Sequence, residues 1–337
     1  TPECRCPAGC GTARRCGPIG LPATLRILRP GDNPPVGIRT CARSRRGVTV
    51  ATLNQDLCGR TLRLLYGPLC ALPGTMTAFQ PSGHPGPCPA GVEAGWLSLE
   101  APDAHPLRCW WARPGAVAPR AAVLVLPEVF GLNGWVRSVA ERLAAAGYGA
   151  LALPIFARTA PDLETGYDEA GLLLGRQHRD AVTAEGLLDD ARRAIAWLQG
   201  LPGLEGRGVG CVGFCFGGHL ALIAATLPEV RATCDFYGAR VSSFRPGGGP
   251  PTLDLLPAIP GDLLCFSGDQ DPLMPAQELA AIDAAMAAVQ TPGREWRQIV
   301  AAGAGHGFMC EARGDFHPQA SQQGWDQMLA LFGRALT

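Results

Sequence analysis

The stretch "GVGCVGFCFGGHLALIAATL", residues 208–227, governs the reading of the rest of the chain. Its first third is short, apolar and valine-rich, which predicts a buried strand over 208–214. Its last part, from Phe216 onward, predicts a helix. Between them stands Cys215, with Gly213 two positions before it and Gly217 two positions after. A sharp strand-to-helix turn lifts one side chain above the carboxyl edge of a sheet, and flanking glycines remove the Cβ atoms that would collide there. The N-terminus of the following helix favours a negative charge, here a thiolate. The plainer reading is a glycine-rich turn that holds an inert, buried cysteine. The stretch alone leaves both readings open.

Outward from the turn, strands alternate with helices. A hairpin is expected from 95–101 and 107–114, then a strand at 121–127. An amphipathic helix follows at 134–148, ending near Gly147, and a strand at 149–155. Residues 156–182 read as a polar stretch, and 184–200 as a helix closed by glycine. After the turn come strands at 231–238 and 262–269, a helix at 276–289, a strand at 295–303 and a last helix inside 318–336. This alternation predicts an α/β fold: a mostly parallel central sheet flanked by helices on both faces.

Composition narrows the function classes. Hydrophobic residues make up 47% of the 337, and charged residues 17%, which supports a sizeable core. Basic and acidic residues both number 29, so nothing favours nucleic acid or an anionic membrane as partner. No apolar run is long enough to span a bilayer. The 14 cysteines are unevenly spread, with seven before residue 75. The later ones, such as Cys211, Cys234 and Cys265, sit in strand-like runs, where a free cysteine behaves as a small hydrophobe. A reducing, cytoplasmic location is the expectation.

Residues 1–75 differ from the remainder. They are rich in Pro, Gly, Arg and Cys, and carry no sustained helix or strand period. Cys4, Cys6, Cys10 and Cys16 lack zinc-module spacing, and no histidine precedes His84. A secretory signal pattern is absent. The first methionine is Met76, so 1–75 is read as a poorly structured or non-native extension, 76–91 as a linker, and 92–337 as the catalytic domain.

A nucleophile on this kind of turn is followed in the chain by an acid and then a histidine. "SGDQDPLMP", 267–275, offers Asp269 and Asp271 after a strand. "AGAGHGFMC", 302–310, offers His306 after the last strand, between two glycines, an odd place for a purely structural histidine. His317 approaches a helix, and His219 lies on the helix after the turn, where packing or capping suits it. Glu128 leaves the apolar strand of "VLVLPEVFG" at its carboxyl end, where a carboxylate is costly unless exposed, paired or functional. The same loop supplies half of an oxyanion hole, so the backbone N–H groups of Val129 and Phe216 are the candidate donors.

Four motifs together resemble the dienelactone hydrolase (carboxymethylenebutenolidase) family: "PEVFGLN" at 127–133, "GFCFGG" at 213–218, "GDQDPLMP" at 268–275 and "GHGF" at 305–308. The resemblance runs from about residue 92 to 337. It implies an α/β-hydrolase fold with Cys215 as nucleophile, Asp271 rather than Asp269 as acid, and His306 as base. It implies that Glu128 contacts the resting thiol and takes part in forming the thiolate when substrate binds. The implied reaction is hydrolysis of a small lactone or carboxylic ester through a thioester, with no metal or organic cofactor, by a monomer or weak homodimer. One departure concerns the substrate. The family's dienelactone enzymes carry an arginine four residues after the histidine, whereas this chain has Cys310 there and Arg313 as the nearest arginine. Arg176 and Arg179 are further candidates, with solvated surface positions as the plainer reading. The alternatives are a catalytically silent binding protein on the same fold, and a redox or zinc protein built on the N-terminal cysteines.

Overall fold

The structure is a computed structural model that describes residues 88–101, 104–289 and 293–336. The expectations for 1–75, and for the linker as far as residue 87, lie outside the described residues.

Strands β1 (Val92–Ala101) and β2 (Ala104–Pro114) form an antiparallel hairpin at one side of an eight-stranded sheet. The remaining strands are β3 (Ala122–Leu126), β4 (Gly149–Ala152), β5 (Val209–Phe214), β6 (Val230–Phe236), β7 (Asp262–Gly268) and β8 (Trp296–Ala301). Their order is β1-β2-β4-β3-β5-β6-β7-β8. Every pair from β4 to β8 is parallel, while β2 meets β4 antiparallel. The sheet is mostly parallel, as the alternation of elements predicts.

Successive residues of the central strands feed opposite layers. Val123 and Val125 of β3 face a core shared with α1 (Gly134–Ala145) and α6 (Pro318–Ala335). Ala122, Leu124 and Leu126 face the other core, shared with α3 (Ala184–Gln199) and α4 (Phe216–Ala224). Burial on both faces explains why these strands read as unbroken apolar runs rather than as alternating ones. A third cluster packs α5 (Ala276–Val289) and a short 3-10 helix (Thr252–Ala258) beside β7.

The chain leaves β3 toward β4 on one side, while β5 lies on the other. That reversal is a switch point, and a crevice opens beyond the carboxyl ends of the strands there. The loop carrying Glu128 and the turn carrying Cys215 leave from these two adjacent strands.

The stretch 156–182 departs from its reading as a simple polar segment, because it contains helix α2 (Glu169–Arg179). Asp168 caps it by accepting from the Gly171 N–H at 2.7 Å. Two glycines break its apolar period, which hides it from pattern reading. No helix among the described residues is long and apolar enough to cross a membrane.

Candidate active site

Cys215 sits at φ 55°, ψ −120°, in the left-handed half of backbone space that side chains rarely occupy. Adjacent backbone enforces the turn. A Cβ on Gly213 would overlap the Gly217 carbonyl, and a Cβ on Gly217 would overlap the Leu126 and Pro127 carbonyls. The turn is held by the Cys215 N–H, which donates to Phe236 O at 3.0 Å. Helix α4 begins its ladder with the His219 N–H donating to Cys215 O at 3.2 Å. The sulfur is thus fixed at the helix N-terminus, half-buried and facing a cavity of about 470 Å³. By contrast, Cys211, Cys234 and Cys265 are buried in strands, where desolvation pushes each thiol up, Cys211 to about 12.

His306 and Asp271 meet at this cavity. His306 Nδ1 lies 2.7 Å from Asp271 Oδ2, and both residues are buried. The other oxygen of Asp271 accepts from the Leu273 N–H at 2.8 Å, which fixes the carboxylate. Asp269 is engaged elsewhere, accepting from the Gly303 N–H at 2.7 Å. The second ring nitrogen of His306, Nε2, is buried without a fully formed hydrogen bond, and the Cys215 sulfur is the group beside it. Burial on its own lowers the affinity of His306 for a proton. The neighbouring Cys215 and the bond to Asp271 outweigh that and push it up to about 10. Tyr237 packs its ring against His306 at 5.2 Å between centroids, from a left-handed backbone at φ 46°.

His219 and His317 are occupied elsewhere. His219 Nδ1 lies 2.8 Å from Ala239 O and Nε2 2.7 Å from Thr252 Oγ1, and burial lowers its titration to about 4. It is a neutral tie between α4 and the loop after β6. His317 caps α6 through the Ala320 N–H at 3.2 Å.

Glu128 is fully buried, and Arg313 Nη1 donates to its Oε1 at 2.9 Å. Its Oε2 is buried without a donor. Desolvation raises the carboxyl above its ordinary range despite the attraction of Arg313 and His306. The Arg313 guanidinium is its charged hydrogen-bond partner. Cys310 is wholly buried behind the site, whereas Arg313, three residues on, lines the cavity. Arg176, exposed, and Arg179, half-buried and paired with Asp180, both border it. Arg240, a cavity residue the sequence reading passed over, stands at φ 64° on the loop after β6.

The Val129 and Phe216 N–H groups have no acceptor among the described residues. Both residues line the cavity beside Cys215. Two unpaired amides next to a sulfur on a strained turn are suited to an oxygen that gains charge when its carbonyl is attacked. Among the described residues, no group of three or more His, Cys, Asp or Glu is placed to hold a metal ion.

The chain is similar to proteins already known. Residues 107–336 match the model of the dienelactone hydrolase family. A Synechocystis sp. protein named "Putative carboxymethylenebutenolidase" is 36% identical over 221 residues, covering 66% of this chain and 89% of its own. Two solved structures share the fold over 73% of this chain and all of their own. A dienelactone hydrolase-like promiscuous phosphotriesterase from metagenomic libraries has TM-score 0.58 at 23% identity. The dienelactone hydrolase of Anabaena variabilis has TM-score 0.55 at 18% identity. At such identities these two speak for the α/β-hydrolase fold alone. The family match covers well over half of the sequence, and the Synechocystis relative is aligned over most of its length: the chain belongs to the dienelactone hydrolase family.

Proposed function

We propose that this hydrolase cleaves small lactones or carboxylic esters by covalent catalysis at Cys215, with His306 as proton carrier and Asp271 as its orienting acid. The observation that carries the reading is the relay itself. One face of His306 is bound to a buried carboxylate, and the other faces a sulfur held on a strained turn.

In the proposed reaction the Cys215 thiolate adds to the carbonyl carbon, and the carbonyl electron pair moves onto oxygen. The Val129 and Phe216 N–H groups hold that oxyanion, each worth about 3 kcal/mol in the transition state. Collapse expels the alkoxide, which takes the proton from His306 and leaves an acyl thioester on Cys215. Neutral His306 then accepts a proton from water as the oxygen adds to the thioester. The thiolate departs, and the products are one acid and one alcohol, joined in a single molecule when the substrate is a lactone. An ester or lactone suits a thiol better than an amide does, because an amine would be a poorer leaving group than the sulfur.

Arg313 takes up the role of substrate anchor that Cys310 cannot fill. An anionic group on the substrate would draw the guanidinium from Glu128. The carboxylate freed of its counter-charge would favour the imidazolium form of His306, and so the transfer of the Cys215 proton to that ring. The joint presence of Cys215, Asp271, His306 and Glu128 argues against the alternative of a silent binding protein.

Turnover of a panel of lactones and aryl esters, with and without a carboxylate, tests this. Cys215→Ala should lose at least about 10³-fold in kcat, as removal of a nucleophile does elsewhere. Arg313→Gln should raise KM for the carboxylate-bearing members only. Turnover that survives Cys215→Ala would remove the reading.

A further inference from the structure

Helix α2 closes over the cavity in an unusual way. Its two buried residues are both glycines, Gly171 and Gly175, while Leu172 and Arg176 line the cavity. A helix normally docks through a ridge of side chains. Here backbone lies on backbone. A Cβ on Gly175 would overlap the Val129 carbonyl oxygen and would come within 2.9 Å of the Val129 carbonyl carbon and 3.2 Å of its Cβ. Val129 lines the cavity, and its N–H has no acceptor among the described residues.

The chain leading into α2 grips the same loop from its other side. Leu132 N–H donates to Leu163 O at 3.2 Å, and Thr165 N–H to Phe130 O at 3.0 Å. Gly131 and Glu164 form an antiparallel bridge. Glu164 is anchored in turn by Arg137, buried in α1, through contacts of 2.7 and 3.0 Å. Residues 163–175 therefore hold the loop 129–132 from two directions, and the peptide that carries the Val129 N–H is tied into the same loop by the Gly131 N–H, which donates to Glu128 O at 3.2 Å. Backbone donors act in catalysis only when fixed on the point where charge develops, because a donor that must reorganise loses its advantage.

We propose that Gly175 is a positioning residue for the oxyanion: its missing side chain lets α2 seat against Val129 and hold that N–H on the reacting oxygen. This rests on the hydrolase reading above, and it assigns to the α2 segment a part in the chemical step that goes beyond covering the cavity.

The test compares Gly175→Ala with Gly171→Ala. A Cβ on Gly171 meets the Gly166 carbonyl, Thr165 Oγ1 and Asp168 Oδ1, so it strains the same helix and reaches the loop only through Thr165, without touching Val129. Three quantities are read for each: kcat and KM on an aryl ester, affinity for an aldehyde that forms a hemithioacetal with the thiol, and the rate of alkylation by iodoacetamide. Gly175→Ala should lower kcat by about 10- to 100-fold, less than the about 10²- to 10³-fold cost of losing an oxyanion donor outright. KM should stay within about threefold, aldehyde affinity should fall in step with kcat, and alkylation should be unchanged. Gly171→Ala, which acts on the loop only through Thr165, should lose clearly less kcat and aldehyde affinity than Gly175→Ala. If Gly175→Ala does not fold, Glu164→Gln carries the test, since it loosens the same loop without adding an atom, and kcat should fall with KM retained. Unchanged kcat and aldehyde affinity in Gly175→Ala, an equal loss in Gly171→Ala, or an unaffected Glu164→Gln would overturn the proposal. Failure of the hydrolase reading shows separately, as wild-type aldehyde binding that is indifferent to Cys215→Ala.

Discussion

Asp235 lies in β6 directly beneath the strained turn, and it is only 2% exposed. One oxygen accepts from the Gly238 N–H at 2.8 Å, and no cation among the described residues is paired with it. Burial therefore dominates, with a smaller push from Glu278, and its titration rises from 3.8 to about 7. Below pH 4 both the folded and unfolded chains hold this proton. Between 4 and 7 the unfolded chain releases it while the folded chain keeps it, so stability falls as pH rises. Above 7 both are ionised, and the fold carries the whole penalty. At about 1.4 kcal/mol per pH unit, the full effect approaches about 4 kcal/mol, and about 3 kcal/mol of it develops between pH 5 and pH 8. Asp235→Asn keeps an oxygen for the Gly238 N–H and cannot ionise. Urea unfolding of both proteins at pH 5 and pH 8 should show the variant gaining about 3 kcal/mol on the wild type over that interval. A stability difference that does not change with pH would refute the assignment.

Further expectations concern the relay and the turn. His306 is raised in the folded chain, so its stabilising contribution is present below its ordinary 6.5 and is lost as pH rises through about 10. Nuclear magnetic resonance of the ring should show it protonated at neutral pH, with a midpoint that drops clearly in Cys215→Ala, since the sulfur is the largest raising influence. An unchanged midpoint would mean that the sulfur is not coupled to the ring. Gly217→Ala would force a Cβ onto the Leu126 and Pro127 carbonyls, and urea unfolding should show a loss of about 2–4 kcal/mol along with the activity. A change within about 0.5 kcal/mol would mean that the turn is not backbone-limited there.

Much of this was legible in the sequence because the signals were local and physical. Val123 to Leu126 read as a strand through unbroken apolarity, and Gly213 and Gly217 marked the turn because only a missing Cβ fits between the carbonyls that surround them. The meeting of Asp271 with His306, 35 residues apart, followed from both lying at carboxyl ends of neighbouring parallel strands. Helix α2 was hidden because its buried positions are glycines, which leave no hydrophobic stripe. The partner of Glu128 was hidden for another reason. Arg313 reaches it from 185 residues away, and no pattern of spacing ties a lone arginine in a loop to a carboxylate on a distant strand. The left-handed backbones of Tyr237 and Arg240 likewise arise from the packing of the loop after β6, not from glycine or asparagine at those positions.

The central claim is that an acyl group rests on Cys215 during turnover. Acid quenching of the enzyme with an activated aryl ester, followed by peptide mass spectrometry, examines this directly. The account predicts the mass of the acyl group on the peptide containing Cys215, released by neutral hydroxylamine and absent from Cys215→Ala. Steady turnover with no adduct on that peptide, together with an unimpaired Cys215→Ala, would contradict it.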